Sequence, residues 1–123
     1  MVFVWKHVSP ARIDAINGFF RTSGHFLGYG ILALLFFRAI RRTVALKTKS
    51  PIVETTRERL FRWACEAVFC TAIVAAADEW HQSFLPSRTG AVHDVVLDTA
   101  GAIVLLMLVM IRYAIKPKTS EAN

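Results

Sequence analysis

Asp78-Glu79-Trp80-His81-Gln82-Ser83-Phe84-Leu85-Pro86-Ser87-Arg88-Thr89-Gly90-Ala91-Val92-His93-Asp94-Val95-Val96-Leu97-Asp98 sets four carboxylates, two histidines, a glutamine and an arginine between two strongly apolar segments. Those segments, Ala67 to Ala77 and Thr99 to Ile111, carry no charge, and a third such run, Phe26 to Phe37, lies upstream. Each run is shorter than the roughly 18 residues that declare a spanning helix. Each approaches spanning length only when its polar flanks are counted, at about residues 25–40, 60–80 and 92–115. Spanning helices would then carry polar groups inside their ends, where an ionisable side chain is disfavoured by roughly 2.5 to 3.5 kcal/mol at a helix centre and is paired, cavity-facing or functional.

Composition agrees with a membrane assignment. Hydrophobic residues make up 54% of the 123, and Lys+Arg exceed Asp+Glu by 15 to 9. Mean hydropathy is positive. The length fits one domain, residues 1–123. The fold class expected is therefore all-α, an integral membrane bundle of three transmembrane helices.

Charge orients the bundle. Arg38, Arg41, Arg42, Lys47, Lys49, Arg57, Arg59 and Arg62 stand against only Glu54 and Glu58 between the first two runs, and Arg112, Lys116 and Lys118 follow the third. The positive-inside rule puts a basic 41–59 loop and the C-terminus in the cytoplasm of a multi-pass cell-membrane protein, and a polar 81–91 loop outside. A soluble helical bundle is the competing arrangement, and the basic loop and positive tail argue against it. The same basic segment favours anionic lipid headgroups over nucleic acid, because it lies between two apolar helices.

Topology then brings separate polar residues to one end. His25 opens the first helix, Asp78 and Glu79 close the second, and Asp94 and Asp98 open the third. Residues four apart share a helix face, which pairs His25 with Tyr29, Asp78 with Gln82 and Asp94 with Asp98. The expected outward-facing cluster is His25, Tyr29, Asp78, Glu79, Gln82, Arg88, Asp94 and Asp98, with Arg88 as the anion contact. Gly24-x-x-x-Gly28, Ala75 to Ala77 and Gly101 would let neighbouring backbones approach. Ser50-Pro51 has the form of a helix start. Met1 to Ser23 holds no run long enough for a signal peptide or a further span. Cys65 and Cys70, five apart, fit neither a zinc pair nor a disulfide framework and are read as small apolar fillers.

The ordered motifs Arg21-Thr-Ser-Gly-His25-Phe26-x-x-Tyr29-Gly-x-Leu32, Asp78-Glu79-x-His81-Gln82-x-Phe84-x-Pro86-x-Arg88-x-Gly90 and Asp94-Val-x-x-Asp98-Thr-x-Gly101 resemble the VanZ-like family of small bacterial membrane proteins, over about residues 17–112. The resemblance implies a multi-pass protein of the cell envelope, and the family's founding member is linked to resistance to teicoplanin, a glycopeptide acting on the cell wall. It implies no particular reaction. Most members have a further span before the His motif, and most have Lys where this chain has Thr22.

Two functional expectations follow. The first is a non-catalytic envelope protein whose outer cluster binds a headgroup, a cell-wall precursor or another anionic envelope ligand, with membrane lipids as neighbours and helix flanks that could pair with a second copy. No cofactor or metal is expected under it. The alternative is a membrane-embedded enzyme, either a metal-dependent hydrolase using His25, Asp78, Glu79, His81, Asp94 and Asp98, or a lipid-phosphate phosphatase. No H-E-x-x-H is present, and the spacing of Arg88 and His93 departs from the phosphatase pattern, with Asp94 where the histidine should stand. A structural role remains the plain alternative, above all for the boundary residues His81 and His93.

Overall fold

The computed structural model describes residues 9–48, 57–86 and 92–115. They form three helices, α1 (Pro10–Thr48), α2 (Arg57–Ser83) and α3 (Val92–Ile115), and there is no strand among the described residues. Each helix contains a stretch long and apolar enough to cross a membrane. At 1.5 Å per residue they extend about 58, 40 and 36 Å, against a hydrocarbon core of about 30 Å.

The helices outrun the apolar runs that announce them. α1 begins at Pro10, not near His25, because Pro at the first helical position forfeits only an N–H that would have no partner there. The Ser9 carbonyl accepts the Arg12 and Ile13 N–H groups at 2.9 and 3.3 Å. Between there and the apolar run only Gly18 and Gly24 oppose the helix, at about 1 kcal/mol each, too little to stop it. At the other end α1 continues through Arg41 and Arg42 to Thr48, with Lys47 in the last turn, where the helix dipole favours a cation. α2 starts at Arg57. The 41–59 segment is thus helical at both ends; its middle, with Ser50-Pro51, lies outside the described residues. α2 likewise continues through Gln82 and closes with Phe84 and Leu85 N–H groups on the His81 and Gln82 carbonyls, at 3.2 and 3.0 Å. The polar 81–91 segment therefore begins as helix, and residues 87–91 lie outside the described set.

α1 and α3 run parallel in fixed register. Arg21 meets Asp94 and His25 meets Asp98, both at a sequence separation of 73, and near the far end Arg41 meets Tyr113 at 72. α2 runs antiparallel to both. It meets α1 through Tyr29 and Asp78 at one end, and its Arg59 and Trp63 share a cavity with Phe37 and Arg41 at the other.

The interior is built mainly from small residues. Gly30, Ala33, Ala64, Ala67, Ala75, Gly101 and Ala102 are buried, joined by Phe37, Leu60, Trp63 and Leu106. Large apolar side chains face outward instead, in rows such as Leu27, Ile31 and Leu35 on α1 and Ile103, Val104, Met107 and Leu108 on α3. Lipid tails solvate such side chains as well as a protein core does, so helices associate where small residues allow close packing. Thr71 is buried yet satisfied, its hydroxyl donating to the Ala67 carbonyl at 2.8 Å. Exposed Phe19, Phe20, Trp80 and Phe84 gather at the end of the bundle that holds His25 and Asp78, as an interfacial aromatic girdle would.

Gly101 is the tightest point. A Cβ there would strike the Phe26 carbonyl oxygen and lie 3.0 and 3.2 Å from that residue's carbonyl carbon and Cα. Gly30 faces Leu105 across the same interface. By contrast, Gly24 and Gly28 have nothing within 4 Å of a built Cβ, so the G-x-x-x-G pair expected to pack helices does not do so. Of Ala75 to Ala77, only Ala75 is buried. Cys65 is exposed rather than filling the interior, Cys70 is half-buried, and both are free thiols. Gly101→Ala should destabilise the protein by about 1 to 3 kcal/mol through overpacking, while Gly24→Ala, which meets no neighbour, should raise stability by up to about 1 kcal/mol. Thermal unfolding in detergent separates the two; equal midpoints would contradict the close approach.

Candidate functional site

A chain of polar contacts crosses all three helices at the end opposite the arginine-rich one. Gln82 Nε2 donates to Asp78 Oδ2 at 2.8 Å, within α2. The Tyr29 hydroxyl of α1 donates to the same oxygen at 3.2 Å. One turn earlier on α1, the His25 ring stacks on that of Tyr29, with centroids 6.1 Å apart and planes 20° from parallel. His25 Nδ1 then reaches Asp98 Oδ2 of α3 at 3.4 Å. A second link lies one turn nearer the helix starts, where Arg21 Nη2 donates to Asp94 Oδ2 at 3.2 Å.

The constant offset between α1 and α3 explains why both links form. Arg21 and His25 are four apart, as are Asp94 and Asp98, so each pair stands on one helix face and two parallel faces in register pair twice. Asp94 also sits in the first turn of α3, where the dipole favours an anion. Arg21 was absent from the residues expected at the cluster. Its signal was present in that spacing, one turn before His25, but pairing it with Asp94 requires the interhelical register.

Asp98 differs from the other carboxylates. Its residue is 3% exposed, and Oδ1 is buried with no hydrogen-bond partner among the described residues. A buried acceptor without a donor is unfavourable by roughly 1 to 3 kcal/mol. His25 and Tyr29 also line a cleft of about 270 Å³ between α1 and α2, with Gly24, Gly28, Leu32 and Val74; Asp98 itself is not part of its wall. The two glycines thus make room for the cleft rather than for a packed helix.

Five of the eight expected residues are therefore joined by direct contacts, His25, Tyr29, Asp78, Gln82 and Asp98, while Asp94 pairs with Arg21. Glu79 is half-buried beside Asp78. Arg88 lies outside the described residues. His81 and His93 are exposed, His93 Nδ1 standing 3.8 Å from Asp94 Oδ1. Among the described residues no three His, Cys, Asp or Glu side chains are grouped so as to hold a metal ion.

Comparison with known proteins bears on the same stretch. A family profile described as VanZ/LLP1 matches residues 2–113. The chain belongs to this VanZ family. No curated protein and no solved structure matches it. The match takes in all three helices up to Tyr113 and thus both halves of every interhelical polar contact. As a VanZ-family member with three candidate spans, the chain is a membrane protein.

Interhelical hydrogen bonds in membranes average about 0.6 kcal/mol and reach about 1.7. A double-mutant cycle on His25→Ala and Asp98→Ala, read by unfolding in detergent, should give a coupling in that range. Additive effects would show that the pair does not interact.

Proposed function

We propose that this VanZ-family protein acts in the bacterial cell envelope, in the cell membrane, with its polar cluster facing outward and binding the polar headgroup of an envelope lipid or wall precursor. Orientation rests on charge. Arg38, Arg41, Arg42, Lys47, Arg57, Arg59, Arg62 and Arg112 all lie towards the end of the bundle opposite the cluster, which the positive-inside rule assigns to the cytoplasm.

The observation that carries the reading is the cleft walled by His25 and Tyr29, whose polar contacts lead to Asp98 and Asp78. Asp98 and Asp78 are acceptors, so a ligand here would present hydroxyl, amide or ammonium donors, groups that sugar and peptide headgroups supply in quantity. Arg21, more than half exposed, would meet a phosphate or carboxylate on the same molecule. Wall precursors combine these features, which connects the site to the teicoplanin resistance associated with the family's founding member.

One observation favours a second reading, a hydrolase acting on a lipid-linked phosphate. A histidine whose Nδ1 contacts a buried carboxylate and whose ring lines a cleft has the arrangement of a general base. Phosphate release from undecaprenyl pyrophosphate by wild type, lost in His25→Ala, would establish that reading over simple binding.

For the binding reading, cells expressing wild type should be protected against teicoplanin more than against vancomycin, and Asp98→Ala or Asp78→Ala at matched protein level should lose the protection. Gly28→Leu, which fills the cleft while leaving every polar residue of the cluster in the sequence, should lose it too, while Gly18→Leu, on the projecting start of α1, should keep it. Protection retained by Asp98→Ala and Gly28→Leu would remove the cluster from the function.

A further inference from the structure

The other end of the bundle holds a second polar cavity. It encloses about 490 Å³ where the three helices meet, and Arg38, Arg41 and Arg42 of α1, Arg59 and Trp63 of α2 and Tyr113 of α3 line it. A volume in this range accommodates a small-molecule headgroup. Its deeper wall is apolar, with Leu34, Phe37 and Val109.

Positive-inside topology accounts for basic residues at this end, but not for four guanidinium groups converging on one cavity. Like charges so gathered repel one another unless an anion lies among them. None of the four arginines forms an ion pair with a carboxylate among the described residues. Arg41 is held in place by aromatic groups instead. Its guanidinium carbon lies 5.2 Å from the Tyr113 ring centroid and 6.0 Å from that of Phe37, and Nη1 donates to the Tyr113 hydroxyl. Stacking of this kind orients a guanidinium while leaving most of its donors available for a bidentate acceptor.

We propose that this cavity binds the phosphate of an anionic phospholipid headgroup, with Arg41 as the fixed contact and Arg38, Arg42 and Arg59 as the surrounding charge. The apolar wall accounts for an amphiphile in preference to a free anion, since Trp63, Phe37 and Val109 would meet the glycerol backbone and the start of the acyl chains. Basic pockets between membrane helices recognise such headgroups by the same combination.

Native mass spectrometry of the purified full chain with equimolar phosphatidylglycerol and phosphatidylcholine tests this. Wild type should retain phosphatidylglycerol over phosphatidylcholine by about tenfold, a difference that maps directly to binding free energy. Replacing Arg38, Arg42 and Arg59 together by Gln, all three exposed and outside the packed interior, should bring the ratio below about threefold. A control with Lys47, Arg57 and Arg62 changed to Gln removes equal charge from the same end without touching the cavity lining, and should keep the wild-type ratio. No preference in wild type, or equal loss in the control, would overturn the site. Glycerol phosphate at the same concentration should not displace the lipid; displacement would overturn the assignment to a lipid.

Discussion

The contact between the Gly101 backbone and the Phe26 carbonyl is the constraint on which the rest of the bundle depends. In a bilayer, apolar side chains gain nothing by leaving lipid for a helix interface, so position along the helix axis must be set by shape and by polar pairing. A glycine that admits a neighbouring backbone at one point, with Gly30 facing Leu105 farther along, leaves α1 and α3 little freedom to slide. From that register follow the pairs Arg21–Asp94 and His25–Asp98 at one end and Arg41–Tyr113 at the other. A shift by one residue would rotate every one of these off its partner's face.

Polar groups then do two kinds of work at the two ends. At the end with the carboxylates, α2 joins through Asp78, which accepts from both Tyr29 and Gln82, so three helices are tied by side chains that hydrocarbon could not solvate. Within this network the buried Asp98 Oδ1 has no hydrogen-bond partner among the described residues. Such an orphaned buried acceptor is rare in folded proteins, where buried polar groups are nearly all paired. At the arginine-rich end the imbalance is reversed, with cations gathered and no carboxylate paired to them among the described residues.

Much of this was legible in the sequence, and its limits are physical. The three apolar runs identified the helices, and the i, i+4 spacing of His25 with Tyr29, Asp78 with Gln82 and Asp94 with Asp98 placed those residues on shared faces. Helix ends were not legible, because apolarity marks the segment that lipid must cover while the backbone continues until a breaker stops it; hence α1 reaches from Pro10 to Thr48. The roles of glycine were also hidden. Gly24 and Gly28 have the spacing of a packing motif but line a cleft, whereas Gly30 and Gly101, far apart in sequence, make the close approach. The pairing of Arg21 with Asp94 was hidden for the same reason, since it is fixed by register between helices and not by spacing along one of them.

The most direct test of that register is thiol cross-linking in native membranes, with Cys65 and Cys70 replaced by Ala. Arg21→Cys combined with Asp94→Cys should be joined efficiently by a short bifunctional thiol reagent, and Arg21→Cys combined with Ala100→Cys, about 9 Å farther along α3, should not. Linkage through position 100 as readily as through 94, or none through 94, would contradict a bundle held in register at Phe26 and Gly101.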